Sequence, residues 1–176
     1  YGIVQALNDV SLECRAGEIH AVVGENGSGK STLLGVASGF VEPDQGTVEI
    51  GGRPLRTDSP AKALGLGLGM AYQENAQVTS LAVKENLYLS TPPHKRPPYY
   101  RMKKWAIGIL AEYQLDDIFA DALVGYLPLA DRQLLDVTKA LLSDPKVLLL
   151  DEPTTALGPS GVEWLHRTIV DSASRG

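Results

Sequence analysis

The chain has 176 residues, 44% of them hydrophobic, enough to bury one core and to predict a single globular unit with at most a small appended subdomain. Its formal net charge of −5 argues against broad electrostatic binding to nucleic acid, which needs a clustered basic surface, and leaves room for a local phosphate site. One cysteine, Cys14, excludes an internal disulfide and fits a reducing compartment, and no run approaches the roughly 18 consecutive apolar residues that span a bilayer.

Tyr1 begins the chain without a methionine, and no capping or strand signal follows the last residues, so the sequence reads as a fragment cut at both ends. Residues 18–23 predict a strand, 24–29 a glycine-rich turn, and 30–37, rich in helix formers and followed by Gly39, a helix. Residues 47–50 before Gly51-Gly52 predict a strand ending in a tight turn, and 64–70, alternating leucine and glycine, a helix end running into a buried strand. Apolar residues recur at helical spacing over 83–89 and 102–115, separated by 91–98, a stretch too proline-rich to be anything but loop. A further helix is expected over 131–142, ended by Ser143-Asp144-Pro145. The unbroken apolar run at 147–150 predicts a strand buried on both faces.

Two motifs carry chemistry. Gly24-Glu25-Asn26-Gly27-Ser28-Gly29-Lys30-Ser31 has the spacing of a phosphate loop, and it lies between an expected strand and an expected helix. Glycines let the backbone curl so that successive N–H groups and the helix N-terminus face phosphate oxygens. Lys30 adds a cation, and Ser31 offers a hydroxyl to Mg²⁺. The bland alternative is a glycine-rich turn that merely caps a helix. Residues 147–153, Val-Leu-Leu-Leu-Asp-Glu-Pro, end a strand in two carboxylates with different tasks. Asp151 is the candidate to orient Mg²⁺, and Glu152 the candidate general base for a water attacking a terminal phosphate. Alone, Asp-Glu-Pro could simply cap the next helix.

The order of phosphate loop, Tyr72-Gln73-Glu74, helical insert, residues 127–133 and Leu-Leu-Leu-Asp-Glu-Pro resembles the ATP-binding cassette (ABC) ATPases over nearly the whole chain. Residues 4–12 and 130–133 resemble in wording the cassettes of bacterial carbohydrate importers of the ribose, galactose and xylose type. The resemblance implies an α/β phosphate-loop core with an antiparallel β layer and a helical subdomain. Residues 1–73 and 143–176 would form the incomplete core, and 74–142 the helical part.

By the same resemblance, Gln73 senses Mg²⁺ or the attacking water and couples to a membrane subunit, Tyr1 stacks on adenine, and Thr32 joins the loop residues in holding nucleotide. Leu127-Pro128-Leu129-Ala130-Asp131 stands where the family usually has Leu-Ser-Gly-Gly-Gln, a signature that reaches a nucleotide on a facing cassette. Pro128 brings neither hydroxyl nor backbone N–H, and Ala130 adds a methyl where glycine allows close approach. Pro128 also suits the start of a helix from Leu129. Gly158 replaces an aspartate found in many cassettes. The family's switch histidine falls after the last residue, and His20, His94 and His166 are not its equivalents. The implied function is an ATP-binding, ATP-hydrolysing subunit of a carbohydrate importer, using ATP and Mg²⁺ at the cytoplasmic face of the membrane. Its partners would be a second cassette, fused or separate, an integral membrane permease and a periplasmic or extracellular substrate-binding protein, with no nucleic acid. The alternatives are a degenerate or regulatory cassette with little turnover, or a soluble ABC ATPase without a permease.

Overall fold

The computed structural model describes residues 5–55, 60–71 and 77–175. Helix α1, Lys30–Ala37, starts from Gly29 in the left-handed region (φ 91°) and stops at Ser38 and Gly39, the latter again at positive φ. Strands β1 (Val48–Ile50) and β2 (Arg53–Leu55) pair antiparallel through Gly51 and Gly52. Both glycines have positive φ, as a tight two-residue hairpin requires. Helix α2 (Pro60–Leu66) leads into β3 (Leu68–Ala71). Ile50, Leu55, Ala63 and Leu68 close a small apolar cluster between hairpin, helix and strand.

Helices α3 (Val83–Ser90), α4 (Met102–Glu112) and α5 (Leu129–Leu141) follow, with the proline-rich connection after α3 folded into two single turns of 3-10 helix. Strand β4 (Val147–Leu150) and helix α6 (Pro159–Ser174) complete the order. The main core joins these elements: Val83 and Leu87 of α3, Ala106 and Leu110 of α4 and Leu135 and Val137 of α5 pack with Trp164 and Leu165 of α6. Trp164 keeps its indole N–H satisfied by donating to the Tyr113 carbonyl at 2.5 Å.

β4 pairs parallel with β3, Leu68 opposite Val147 and Ala71 opposite Leu150, so both strands run out at the same edge. Gly69 makes that position possible. A Cβ there would lie 2.7 Å from the Ala140 carbonyl at the end of α5 and 2.9 Å from the Pro145 ring, so only glycine lets β3 lie flush against this corner.

Two expectations are corrected. Residues 18–23 form no strand, and Val22 and Val23 are exposed. A strand persists only where a neighbour takes its backbone groups; β3 is paired with β4, and among the described residues no strand runs beside 18–23. For the same reason β4 is half-buried rather than covered on both faces, because β3 is its one strand partner among the described residues. The antiparallel β layer is, among the described residues, the β1–β2 hairpin.

Candidate functional site

The glycine-rich loop enters α1 with the geometry of a cradle. Gly27 and Gly29 both have positive φ, and a Cβ on Gly29 would come within 2.6 Å of the Ala6 carbonyl, so position 29 excludes side chains twice over. The Ser28 N–H turns back to the Glu25 carbonyl at 3.1 Å, which tightens the loop. Lys30 folds over it, its ammonium donating to the carbonyls of Gly24 at 2.8 Å and Glu25 at 2.9 Å. The first-turn N–H groups of α1 have no partner within the helix and are the natural donors to an anion. Ser31 is exposed beside Lys30, and Thr32 is half-buried in the same turn.

The carboxylates arrive from the far side of the chain on β4. The Asp151 N–H donates to the Ala71 carbonyl at 3.1 Å, continuing the β3–β4 ladder by one bond and fixing where the carboxylates leave the sheet. Burial pushes the Asp151 carboxyl above its ordinary value, the neighbouring Glu152 charge pushes it the same way, and the Lys30 ammonium pulls it down. The Lys30 charge thus bears on Asp151, 121 positions later in the sequence. Ser31 Oγ and Asp151 are a donor set suited to Mg²⁺, which takes one or two protein oxygens and completes its shell with phosphate and water. Among the described residues no group of three or more His, Cys, Asp or Glu side chains gathers to hold a metal by itself.

Glu152 is exposed and takes φ 46°, an uncommon conformation for a residue with a side chain. Its carbonyl accepts from Thr155 Oγ1 at 3.0 Å and from Gln133 Nε2 at 3.1 Å, and Gln133 Oε1 in turn accepts the Ala156 N–H at 3.2 Å. The sequence gives no role to Gln133. Its outward sign is its place in residues 130–133, the stretch whose wording resembles the carbohydrate-importer cassettes.

The signature segment opens α5. Pro128 stands immediately before the helix, whose first internal bond runs from the Arg132 N–H to the Pro128 carbonyl at 3.1 Å. Pro128 and Leu129 are exposed, Leu127, Ala130 and Asp131 half-buried. Burial raises the Asp131 carboxyl, with the Asp117 charge adding to it. His166 lies on the exposed side of α6, and His20 Nε2 sits 2.9 Å from Glu18. Tyr1 and Gln73 lie outside the described residues.

Residues 7–155 match the ABC transporter family. The chain belongs to that family. This cassette is 37% identical to the arabinose import ATP-binding protein AraG of Pectobacterium atrosepticum over 98% of its own length and 34% of that protein's. It is 38% identical to the ribose import ATP-binding protein RbsA 2 of Agrobacterium fabrum, over 100% and 35%. The chain thus spans about a third of the length of the relatives it matches. In structure the cassette is similar to an ATP-binding cassette of an ABC transporter in its ADP conformation: TM-score 0.81, 26% identity, 97% of this chain and 72% of that one. It shares its fold with a dimeric cassette in a post-hydrolysis state with ADP and phosphate: TM-score 0.84, 23% identity, 97% and 75%. The fold is that of the ABC ATPases.

Proposed function

We propose that this cassette binds Mg-ATP on the loop of residues 24–31 and hydrolyses it to drive a membrane importer of carbohydrate. The observation that carries this is the parallel β3–β4 register, which brings Asp151 and Glu152 out at one edge, together with the family match over residues 7–155 that contains both motifs. Gly24, Glu25, Asn26, Gly27, Ser28, Gly29, Lys30, Ser31 and Thr32 would hold the phosphates through backbone N–H groups, the Lys30 ammonium and hydroxyls. Mg²⁺, held by Ser31 and Asp151 with Gln73 beside it, would supply positive charge to the phosphate oxygens. Glu152 would take a proton from the attacking water, and Lys30 and the loop N–H groups would stabilise the charge that develops.

Carbohydrate import is supported by the arabinose and ribose import roles for which the relatives are named. Their names, and the dimeric structural neighbour, also support a second cassette and a membrane permease as partners. A peripheral place at the cytoplasmic face follows from that assembly. Among the described residues no helix is long and apolar enough to cross a membrane. The segment from Leu127 to Asp131 would face the nucleotide of the other cassette, and there the exposed Pro128 offers neither the hydroxyl nor the N–H that a serine would.

Two substitutions in the complete protein test the proposal. Lys30→Ala is expected to weaken ATP binding by about a hundredfold, the loss of several charge-assisted bonds, and unchanged affinity in a nucleotide-binding titration would overturn it. Glu152→Gln is expected to keep ATP bound while turnover falls roughly 10²- to 10⁴-fold; undiminished phosphate release removes Glu152 from the role of base.

A further inference from the structure

We infer that Gln133 is a positioning residue for Glu152, a clamp by which α5 holds the proposed base in a backbone conformation it would not keep alone. The assignment rests on Glu152 being that base. Its physical ground is the pairing of an unfavourable dihedral with an external restraint. At φ 46° Glu152 occupies the left-handed region, which residues with a Cβ leave unless something fixes the adjoining peptide groups.

Gln133 supplies the restraint from outside the turn. Its side-chain amide donates to the Glu152 carbonyl at 3.1 Å and accepts the Ala156 N–H at 3.2 Å, so one planar group spans both ends of a five-residue turn. Thr155 Oγ1 adds a local bond to the same carbonyl at 3.0 Å. The local bond belongs to the turn and moves with it, whereas Gln133 refers the turn to α5.

The first turn of α5 is itself held on a second side. The Gln77 side chain donates to the Arg132 carbonyl at 2.6 Å, and Arg132 Nε donates to the Leu127 carbonyl at 3.1 Å. Residue 77, the helix start and the 152–156 turn are thus fastened in sequence through Arg132 and Gln133. The segment of residues 127–131, exposed at Pro128 and Leu129, sits on the turn of helix that carries this fastening. A displacement of that segment reaches Glu152 through one side chain.

Steady-state ATP hydrolysis and nucleotide titration in the complete protein test this. Gln133→Met keeps the length of the side chain and removes both bonds. The expected result is a fall in kcat of about tenfold, the size of a lost geometric restraint, with ATP affinity and KM unchanged within about twofold. Gln133→Glu is the second variant: at pH 8 it retains the acceptor for Ala156 and sets an oxygen against the Glu152 carbonyl. Its kcat is expected to be low at pH 8 and to recover relative to the parent protein as the pH is lowered, because a protonated carboxyl donates again. A merely structural side chain would show neither the kcat-only loss nor the recovery with protonation. If both variants turn over ATP as the parent does while Glu152→Gln abolishes turnover, the clamp is wrong and the base assignment stands. If kcat falls only in step with lost ATP affinity, the role is structural and the inference fails. If Glu152→Gln retains turnover, the base assignment falls and takes this one with it.

Discussion

Asp136 shows how one side chain writes a pH dependence into the fold. It is 6% exposed, and its Oδ1 lies 3.0 Å from the Lys139 ammonium one turn along α5. Burial nevertheless dominates and raises its carboxyl, with the Lys139 charge and hydrogen bond and the Gln77 side chain opposing. The native state therefore keeps the Asp136 proton to higher pH than the unfolded chain does. This contribution is most favourable below the ordinary aspartate value, and it is lost as pH rises through the window up to the raised native value. Asp136→Asn removes the titration. In urea unfolding at a series of pH values, the stability of the parent relative to the Asn variant should fall across that window, with a slope of no more than about 1.4 kcal/mol per pH unit. A difference independent of pH would contradict this. Nothing in the residue order announces it: an aspartate three positions before a lysine on a helix reads as a solvated surface pair.

Helix α3 illustrates what local sequence does and does not disclose. Glu85 Oε2 accepts the Ala82 N–H at 2.7 Å, half of a reciprocal cap and recognisable from position alone. Asn86, 2% exposed, does more: Oδ1 accepts the Val78 N–H at 2.9 Å, and Nδ2 donates to the carbonyls of Val78 at 3.0 Å and Ala82 at 3.1 Å. Asn86→Ala strands buried backbone groups and should cost about 2–4 kcal/mol, against about 1 kcal/mol for Glu85→Ala. Urea midpoints in the reverse order would show that the loop before α3 finds other partners. The same division runs through the other elements. Residues 30–37 were readable because a glycine-rich loop and a short run of helix formers suffice to start α1. Apolar spacing put the start of α5 at 131, two residues late, whereas the reading of Pro128 as the start of a helix from Leu129 gave the observed boundary. The strand expected at 18–23 failed for the opposite reason: a β-strand depends on a neighbour that may be far away in the chain. Gln133 was illegible too, since no spacing rule links position 133 to 152 and 156.

At the scale of the whole molecule, order is distributed unevenly. The core beneath α3, α4, α5 and α6 holds fully buried Val83, Leu87, Ala106, Val124 and Leu135, whereas residues 8–23 lie exposed without regular structure. Amide hydrogen exchange on the 176-residue chain should find the amides of Leu87, Leu110, Leu135 and Val137 among the slowest, and those of 19–23 close to unprotected rates. Equal protection in both regions would show that 18–23 is paired in solution. Gly69 adds a mechanical property to this arrangement. Because β3 is seated against the Ala140 carbonyl with no Cβ between them, the far end of α5 is a fixed bearing, while the Leu129 end projects some 16 Å away by the helical rise. A tilt of about 10° about that bearing would sweep Leu129 through roughly 3 Å and carry Gln133, with its bonds to Glu152 and Ala156, along with it. Pivoting there, the helix would act as a lever with its fulcrum at a glycine, its travel greatest at the Leu129 end, the end that the proposed function sets against another cassette.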